Sequence, residues 1–148
     1  NSDGRTQKNS ELNFTEEFEL TGMVRKAGKK LLVNIPGLVG SQLQIKKDER
    51  DRKHDINVGC PRSLTWVIEF KIPQGYTAEG LNELSFNVDN PAGTYSSAAE
   101  EKDGKVILTV NKIYKQAQMP KESWKDMLAF VDAAYNNSYK FILLKPKN

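Results

Sequence analysis

The sequence predicts a mainly β protein with a minor α+β character, an antiparallel β-sandwich of about seven or eight strands with one C-terminal amphipathic helix followed by a last strand. Three observations predict this class. Apolar residues alternate with polar ones from Leu64 to Ile72, which is typical of a half-buried strand. Asp103-Gly104 separates two β-type runs and is a favoured hairpin turn. After Pro120 the apolar residues repeat every three or four positions, which predicts a helix against a sheet face or one end of a sandwich.

Length and composition favour one folded domain. The chain has 148 residues, of which 38% are hydrophobic and 28% charged, and no apolar run reaches the ~18 residues of a membrane-spanning helix. Residues 1–11 are polar and patternless, so we expect a disordered linker there and a single domain over 12–148. The 22 basic and 19 acidic residues are interspersed, whereas nucleic-acid binding needs a field of one sign.

The first part of the chain predicts short strands separated by turns. Leu12, Phe14, Phe18 and Leu20 would share one face of a strand. A turn at Ala27-Gly28 follows, and Pro36-Gly37 ends the next strand. The alternating charges of residues 46–55 indicate a solvated loop. The further strands predicted before the long one at residues 64–72 lie at residues 29–35, 43–46 and 55–58.

The second part predicts a three-stranded meander, a helix and a last strand. The meander covers residues 84–89, 94–102 and 105–115, with Tyr95, Ser97 and Ala99 facing inward and a bulge between Val110 and Ile113, where the apolar phase slips. Asn136-Asn137 would cap the helix in the left-handed conformation, and residues 139–144 would form the last strand. The apolar stripe of the helix consists of Trp124, Met127, Leu128, Val131, Ala134 and Tyr135.

His54 and Cys60 are the sole imidazole and the sole thiol. A Cys–His nucleophile pair needs close approach and a third orienting group, which their spacing does not establish, so an exposed loop histidine and a small residue before Pro61 is the favoured interpretation. A zinc site needs three or four ligands, and neither a phosphate-binding glycine loop nor a nucleophile elbow occurs. We therefore predict no catalytic residue, no metal, no cofactor and no enzymatic activity.

Four tyrosines are candidates for a ligand-binding surface, because exposed coplanar aromatic rings stack on sugars and anchor protein partners. Trp66 and Trp124 fall on positions with the periodicity of the core, so we expect them to be buried instead. The candidate surface-binding aromatics are Tyr76, Tyr95, Tyr135 and Tyr139.

Three segments carry a resemblance to a known family. They are FELTGMVRKAGKKLLVNIPGLVGSQ from Phe18 to Gln42, IEFKIPQGYTAEGL from Ile68 to Leu81, and the stretch from Tyr114 through the Pro120 helix to Phe130. With them, and over nearly the whole chain from Leu12, the protein resembles the C-terminal domain of uncharacterised function that follows the transglutaminase-like core of exported bacterial proteins.

The resemblance implies a non-catalytic accessory domain whose partner is the papain-like core of the same parent protein. The family's Cys-His-Asp triad lies in that core, so no catalytic role is carried over to His54 or Cys60. A location in the periplasm or at the cell surface is implied as well, together with an exposed apolar patch where the core would dock. The alternative is a cell-surface β-sandwich module that binds a glycan or a protein.

Overall fold

A computed structural model describes residues 14–17, 19, 21–34 and 36–147. The predicted linker over residues 1–11 lies outside this range. None of the helices in the described residues has the length and hydropathy of a membrane span. The elements are β1 (Val24–Ala27), β2 (Lys30–Asn34), α1 (Pro36–Val39), β3 (Ile56–Asn57), β4 (Arg62–Lys71), β5 (Tyr76–Glu79), β6 (Phe86–Asp89), β7 (Gly93–Lys102), β8 (Lys105–Tyr114), β9 (Gln118–Met119), α2 (Trp124–Ser138) and β10 (Phe141–Pro146).

The strands form two four-stranded sheets and one short ribbon, and all neighbours are antiparallel. The larger sheet has the order β4-β8-β7-β6, the smaller has the order β1-β2-β10-β5, and β3 pairs with β9. The predicted class, mainly β with a C-terminal helix and a last strand, is confirmed. The described residues contain ten strands, more than expected, because β1 and the two-residue β9 had no predicted counterpart and β5 lies where the sequence indicated only a turn.

The β7–β8 hairpin sets the register of the larger sheet. Asp103 and Gly104 take positive φ values of 51° and 71°, as a two-residue turn requires. β8 then pairs with β7 on one side and with β4 on the other over ten residues each. Alternation along β8 therefore sends Val106, Leu108 and Val110 into the core.

One core joins the two sheets and α2. The smaller sheet contributes Val33, Ile142 and Leu144, and α2 contributes Met127, Phe130 and Val131. Phe130 reaches the larger sheet beside Gly93, because Gly93 has no side chain to occupy that space. The helix thus has its main sheet contacts with β6 and β7.

Two predicted strands are not observed. Leu12, Phe18 and Leu20 lie outside the described residues, and the described residues 14–17 are in neither helix nor strand, with Phe14 exposed. Residues 43–46 are irregular and pair with none of the described strands; the side chain of Ile45 packs against the core. In the first predicted meander strand, Leu84 ends a 3-10 turn and β6 begins at Phe86.

Two local predictions are wrong because polar residues occupy buried positions. The register of β8 is unbroken through Val110 and Ile113, so there is no bulge; Lys112 occupies the inward position and hides the alternation. Asn137 does not cap the helix in a left-handed conformation. It is helical and buried, its Nδ2 donates a hydrogen bond of 3.0 Å to Tyr95 Oη, and α2 continues to Ser138.

Candidate functional site

A cavity of about 240 Å³ opens between the β3–β9 ribbon and the first turns of α2. We call it the arginine pocket, after the two arginines at its wall. Binding pockets for small molecules usually measure roughly 300–1,000 Å³, so this one accommodates a single group the size of a side chain. The lining residues are Leu43, Ile45, Arg52, Ile56, Asn57, Val58, Arg62, Tyr114, Trp124, Met127 and Val131.

The aromatic and helical wall of the pocket follows from simple periodicities. Trp124, Met127 and Val131 are spaced by three and four positions and so lie on one face of α2. Tyr114 is the last inward residue of β8, and its ring meets Phe130 edge-on with 5.0 Å between the centroids. The packed Phe130 therefore holds the Tyr114 ring in place at the edge of the pocket.

Both arginines stack on these aromatic rings. The guanidinium carbon of Arg52 lies 4.6 Å from the centroid of Trp124, and that of Arg62 lies 4.1 Å from the centroid of Tyr114. Each guanidinium also donates to backbone carbonyls of the loop that joins β3 to its neighbours: Arg52 Nε to His54 O at 2.9 Å, and Arg62 Nη1 to Val58 O at 2.9 Å. Stacking and hydrogen bonding orient the two cations but do not neutralise them.

A third cation, Lys112, lies near the Tyr114 ring. Lys112 is only 5% exposed; its Nζ donates to Gln42 Oε1 at 2.9 Å and lies 5.4 Å from the Tyr114 centroid. Within the described part of the chain, the ion pairs use other cations, and none joins Lys112, Arg52 or Arg62 to a carboxylate. The pocket thus has apolar walls, and three cations lie in or beside it that no described carboxylate pairs.

An ion pair between Arg50 and Asp132 connects the charged loop to α2 beside the pocket. Arg50 makes two hydrogen bonds to the carboxylate of Asp132 on α2, at 2.8 and 2.7 Å. The indole Nε1 of Trp124 donates to Arg50 O at 2.9 Å. These contacts attach the charged loop to the helix, so part of the segment predicted to be a solvated loop has a structural role.

A second surface feature runs along β4. The inner side chains of this strand, which we call the β4 row, are Leu64, Trp66, Ile68 and Phe70. Their partners on β8 are buried, whereas Leu64 is 39% exposed and the other three are half-buried. On the opposite face of the strand Val67 is 62% exposed. β4 pairs with a described strand on its β8 side only, so the core is open along this edge.

The four candidate tyrosines differ in burial and do not form one surface. Tyr95 is 2% exposed and hydrogen-bonded to Asn137, so its prediction as a surface-binding residue is wrong. Burial raises its pKa above the ordinary tyrosine value, since the core disfavours the charged phenolate. Tyr76 is half-buried and pairs with Pro146, at the opposite end of β10 from Tyr139. That strand spans about 16 Å, so Tyr76 does not share a platform with Tyr139.

Tyr135 and Tyr139 form an aromatic pair at the end of α2. Their ring centroids are 4.6 Å apart, Tyr139 is 58% exposed and Tyr135 is half-buried. Interaction with the Tyr139 hydroxyl raises the pKa of Tyr135. Of the four candidates, these two are brought together at the surface.

His54 and Cys60 lie in the loop that the two arginines tether. Both are exposed, and neither side chain hydrogen-bonds to another described residue. Across the described ranges, no cluster of three or more His, Cys, Asp and Glu side chains has an arrangement that could hold a metal ion.

Sequence reasoning missed the arginine pocket. Arg52 was one charge among many in residues 46–55, and nothing local links it to Trp124 or links Arg62 to Tyr114. The available signal was weak: apolar Leu43 and Ile45 precede the charged segment, which is unusual for a fully solvated loop.

Comparison with known families finds a match over most of the chain. The model of a domain of unknown function, DUF3858, matches residues 29–144. No curated protein and no solved structure matches the chain.

Proposed function

The chain belongs to the DUF3858 family of domains of unknown function, and with that membership as the premise we propose that it is a non-catalytic accessory domain that packs on a neighbouring protein domain. The partner is the transglutaminase-like core of the same parent protein, and the parent resides in the periplasm or at the cell surface. The sequence resemblance of residues 18–42, 68–81 and 114–130 supports this choice of partner and location.

The observation that carries the proposal is the incomplete cover of the β4 row. One strand inward, Val106, Leu108 and Val110 are fully buried, yet the apolar side chains beside them on β4 remain partly in water. Long edge strands with exposed apolar side chains favour association with another chain, and natural proteins usually cover them. A neighbouring domain that packs there would complete the core.

The exposed, unconnected side chains of His54 and Cys60 support a non-catalytic role. A cysteine nucleophile needs a base in contact and a group that orients the base, and neither side chain has a hydrogen-bonding partner among the described residues. In the proposed arrangement, the chemistry belongs to the core.

The first test is the coding sequence upstream of this segment in its parent gene. We expect it to encode a papain-like core with a Cys-His-Asp triad and an export signal. An unrelated upstream domain would refute the transglutaminase link and the proposed location, whatever binds along β4.

The second test measures binding of this chain to the separately produced core by isothermal titration calorimetry. Leu64→Lys places a charge in the β4 row and is expected to weaken binding at least about tenfold, since a charge in the buried centre of an interface is costly. Val24→Lys is the matched control, an exposed valine on the edge strand of the smaller sheet. Equal affinity of the Leu64→Lys variant and the wild type, with both folded by circular dichroism, would exclude docking through this row.

A glycan-binding role is the second candidate, and the Tyr135–Tyr139 pair favours it. An exposed ring at 58% and a half-buried neighbour offer an edge against which a sugar ring could stack. A glycan array with the wild type and Tyr139→Ala tests this role. Signals that the variant retains, or an array without signals, would count against it.

A further inference from the structure

We propose that the arginine pocket binds a carboxylate that is carried next to one aromatic or branched aliphatic group. This inference goes beyond the docking along β4, because it depends on the charge and shape of the pocket and on no neighbouring domain.

The positive charge of the pocket favours an anion as its ligand. Lys112 is buried, Arg52 is half-buried and Arg62 is exposed, and none of the three forms an ion pair with a carboxylate of the described residues. A buried charge such as that of Lys112 is ordinarily paired. Their hydrogen-bonding partners are neutral oxygens: the carbonyls of His54, Asp55 and Val58 and the side-chain amide of Gln42 are among them.

The arginines also retain free donors for that anion. Arg62 uses Nη1 for Val58 O and Cys60 O, so its Nε and Nη2 make no hydrogen bond to a described residue. These two groups form one edge of the guanidinium, which matches the two oxygens of a carboxylate. Arg52 uses Nε and Nη2 for hydrogen bonds to backbone carbonyls and retains only Nη1 as a donor.

The walls select an apolar group beside the anion. Ile45, Ile56, Met127 and Val131 line the cavity together with the Trp124 and Tyr114 rings. Inorganic phosphate would satisfy the arginines but would leave these walls in water, and a neutral hydrocarbon would leave the charges unpaired. The volume of about 240 Å³ limits the apolar group to a single side chain or its equivalent.

Two sources supply this chemistry, a free carboxylic acid or the C-terminal residue of a peptide. N-acetyl-L-phenylalanine has the features common to both and serves as the probe. Its amide, N-acetyl-L-phenylalaninamide, has the same apolar group without the charge and is the matched control.

Binding is measured by ¹H–¹⁵N chemical-shift titration and by tryptophan fluorescence in a Trp66→Phe background, where Trp124 is the one remaining tryptophan. We expect shifts that saturate and are centred on Ile56, Val58, Trp124 and Val131, and an affinity for the acid at least about tenfold above that for the amide. Equal affinities, or shifts centred elsewhere, would overturn the proposal without the need for any variant.

Substitutions locate the charge that is recognised. Arg62→Gln is expected to bring the affinity for the acid within about twofold of that for the amide, and Arg52→Gln to reduce the preference partially. Arg25→Gln removes the same charge from β1, outside the pocket, and is expected to leave the preference unchanged. An unchanged preference in folded Arg62→Gln and Arg52→Gln would also overturn the proposal.

The same titration distinguishes the two sources. Preference for N-acetyl-L-phenylalanine over its D-enantiomer and over 3-phenylpropionate would identify a chain terminus as the ligand. Equal binding of all three acids would identify a free carboxylic acid. Absence of saturable binding by every acid would refute the pocket as a carboxylate site.

Discussion

Gly93 is the position where a single methyl group should damage the fold most directly. It begins β7, pairs with Tyr114 and faces α2. A Cβ atom built there would lie 2.5 Å from Ile113 O and 2.9 Å from both Cε2 and Cζ of Phe130. These distances are below any normal van der Waals contact, so Gly93→Ala forces a neighbour to move.

Neither neighbour can move freely. Ile113 O belongs to the backbone of β8, which pairs on both sides, and Phe130 is fully buried against Tyr114. Overpacking of this kind costs about 1–3 kcal/mol, and a clash with backbone points to the upper part of that range. At about 2–4 °C per kcal/mol for a domain of this size, we expect the melting temperature to fall by roughly 8 °C.

Thermal and urea unfolding followed by circular dichroism measure this effect. Gly28→Ala is the control for an added methyl group that meets no neighbour, since no heavy atom lies within 4 Å of its added Cβ. Its φ of +64° adds about 1–2 kcal/mol of backbone strain, so its melting temperature is expected to fall less than that of Gly93→Ala. A Gly93→Ala variant that melts within 2 °C of the wild type, by the roughly 2–4 °C per kcal/mol scale, would refute the reasoning and show that α2 is not held against this strand.

Three further substitutions test other parts of the fold. Trp66→Ala is expected to lower the free energy of unfolding in urea by about 2 kcal/mol, because Trp66 is half-buried and the loss of a fully buried tryptophan costs about 3–5 kcal/mol. A decrease of more than about 4 kcal/mol would show that Trp66 is fully buried. Hydrogen bonds from Lys115 and Thr94 lower the pKa of Asp89, so its contribution to stability is present above the unfolded value of 3.8 and is lost as the pH falls through the folded value. Asp89→Asn should therefore flatten the loss of melting temperature below about pH 4, and a slope equal to that of the wild type would contradict this. Lys112→Met should raise the stability by about 1 kcal/mol, because it removes a buried charge that no described carboxylate pairs. A loss of similar size would mean that the ammonium stabilises the fold.

The parts of the fold predicted well are those in which one local pattern suffices. Alternation along residues 64–72, the Asp103-Gly104 turn and the spacing of Trp124, Met127 and Val131 each specify an element through its own periodicity. Two of the failures occur where a polar residue is buried: Lys112 gave the false indication of a bulge, and Asn137 that of a helix cap. Sequence alone contains no indication that tertiary neighbours would give these side chains hydrogen-bonding partners.

The same limit applies to the candidate sites. The sequence identified four tyrosines by residue type, but burial decides among them, and burial depends on which strands and helices cover each face. The arginine pocket was beyond prediction because its contacts are non-local: Trp124 Nε1 and Arg50 O are 74 positions apart in the chain.

The sequence by itself determined the class of the protein and its main elements, because the periods of strand and helix are properties of the local backbone. Only the tertiary structure decided that β4 lies at an edge and that Arg52 and Arg62 meet aromatic rings at an apolar cavity. The physical reason is that exposure and charge pairing are set by contacts between segments distant in the chain, and no local pattern encodes which of those segments meet.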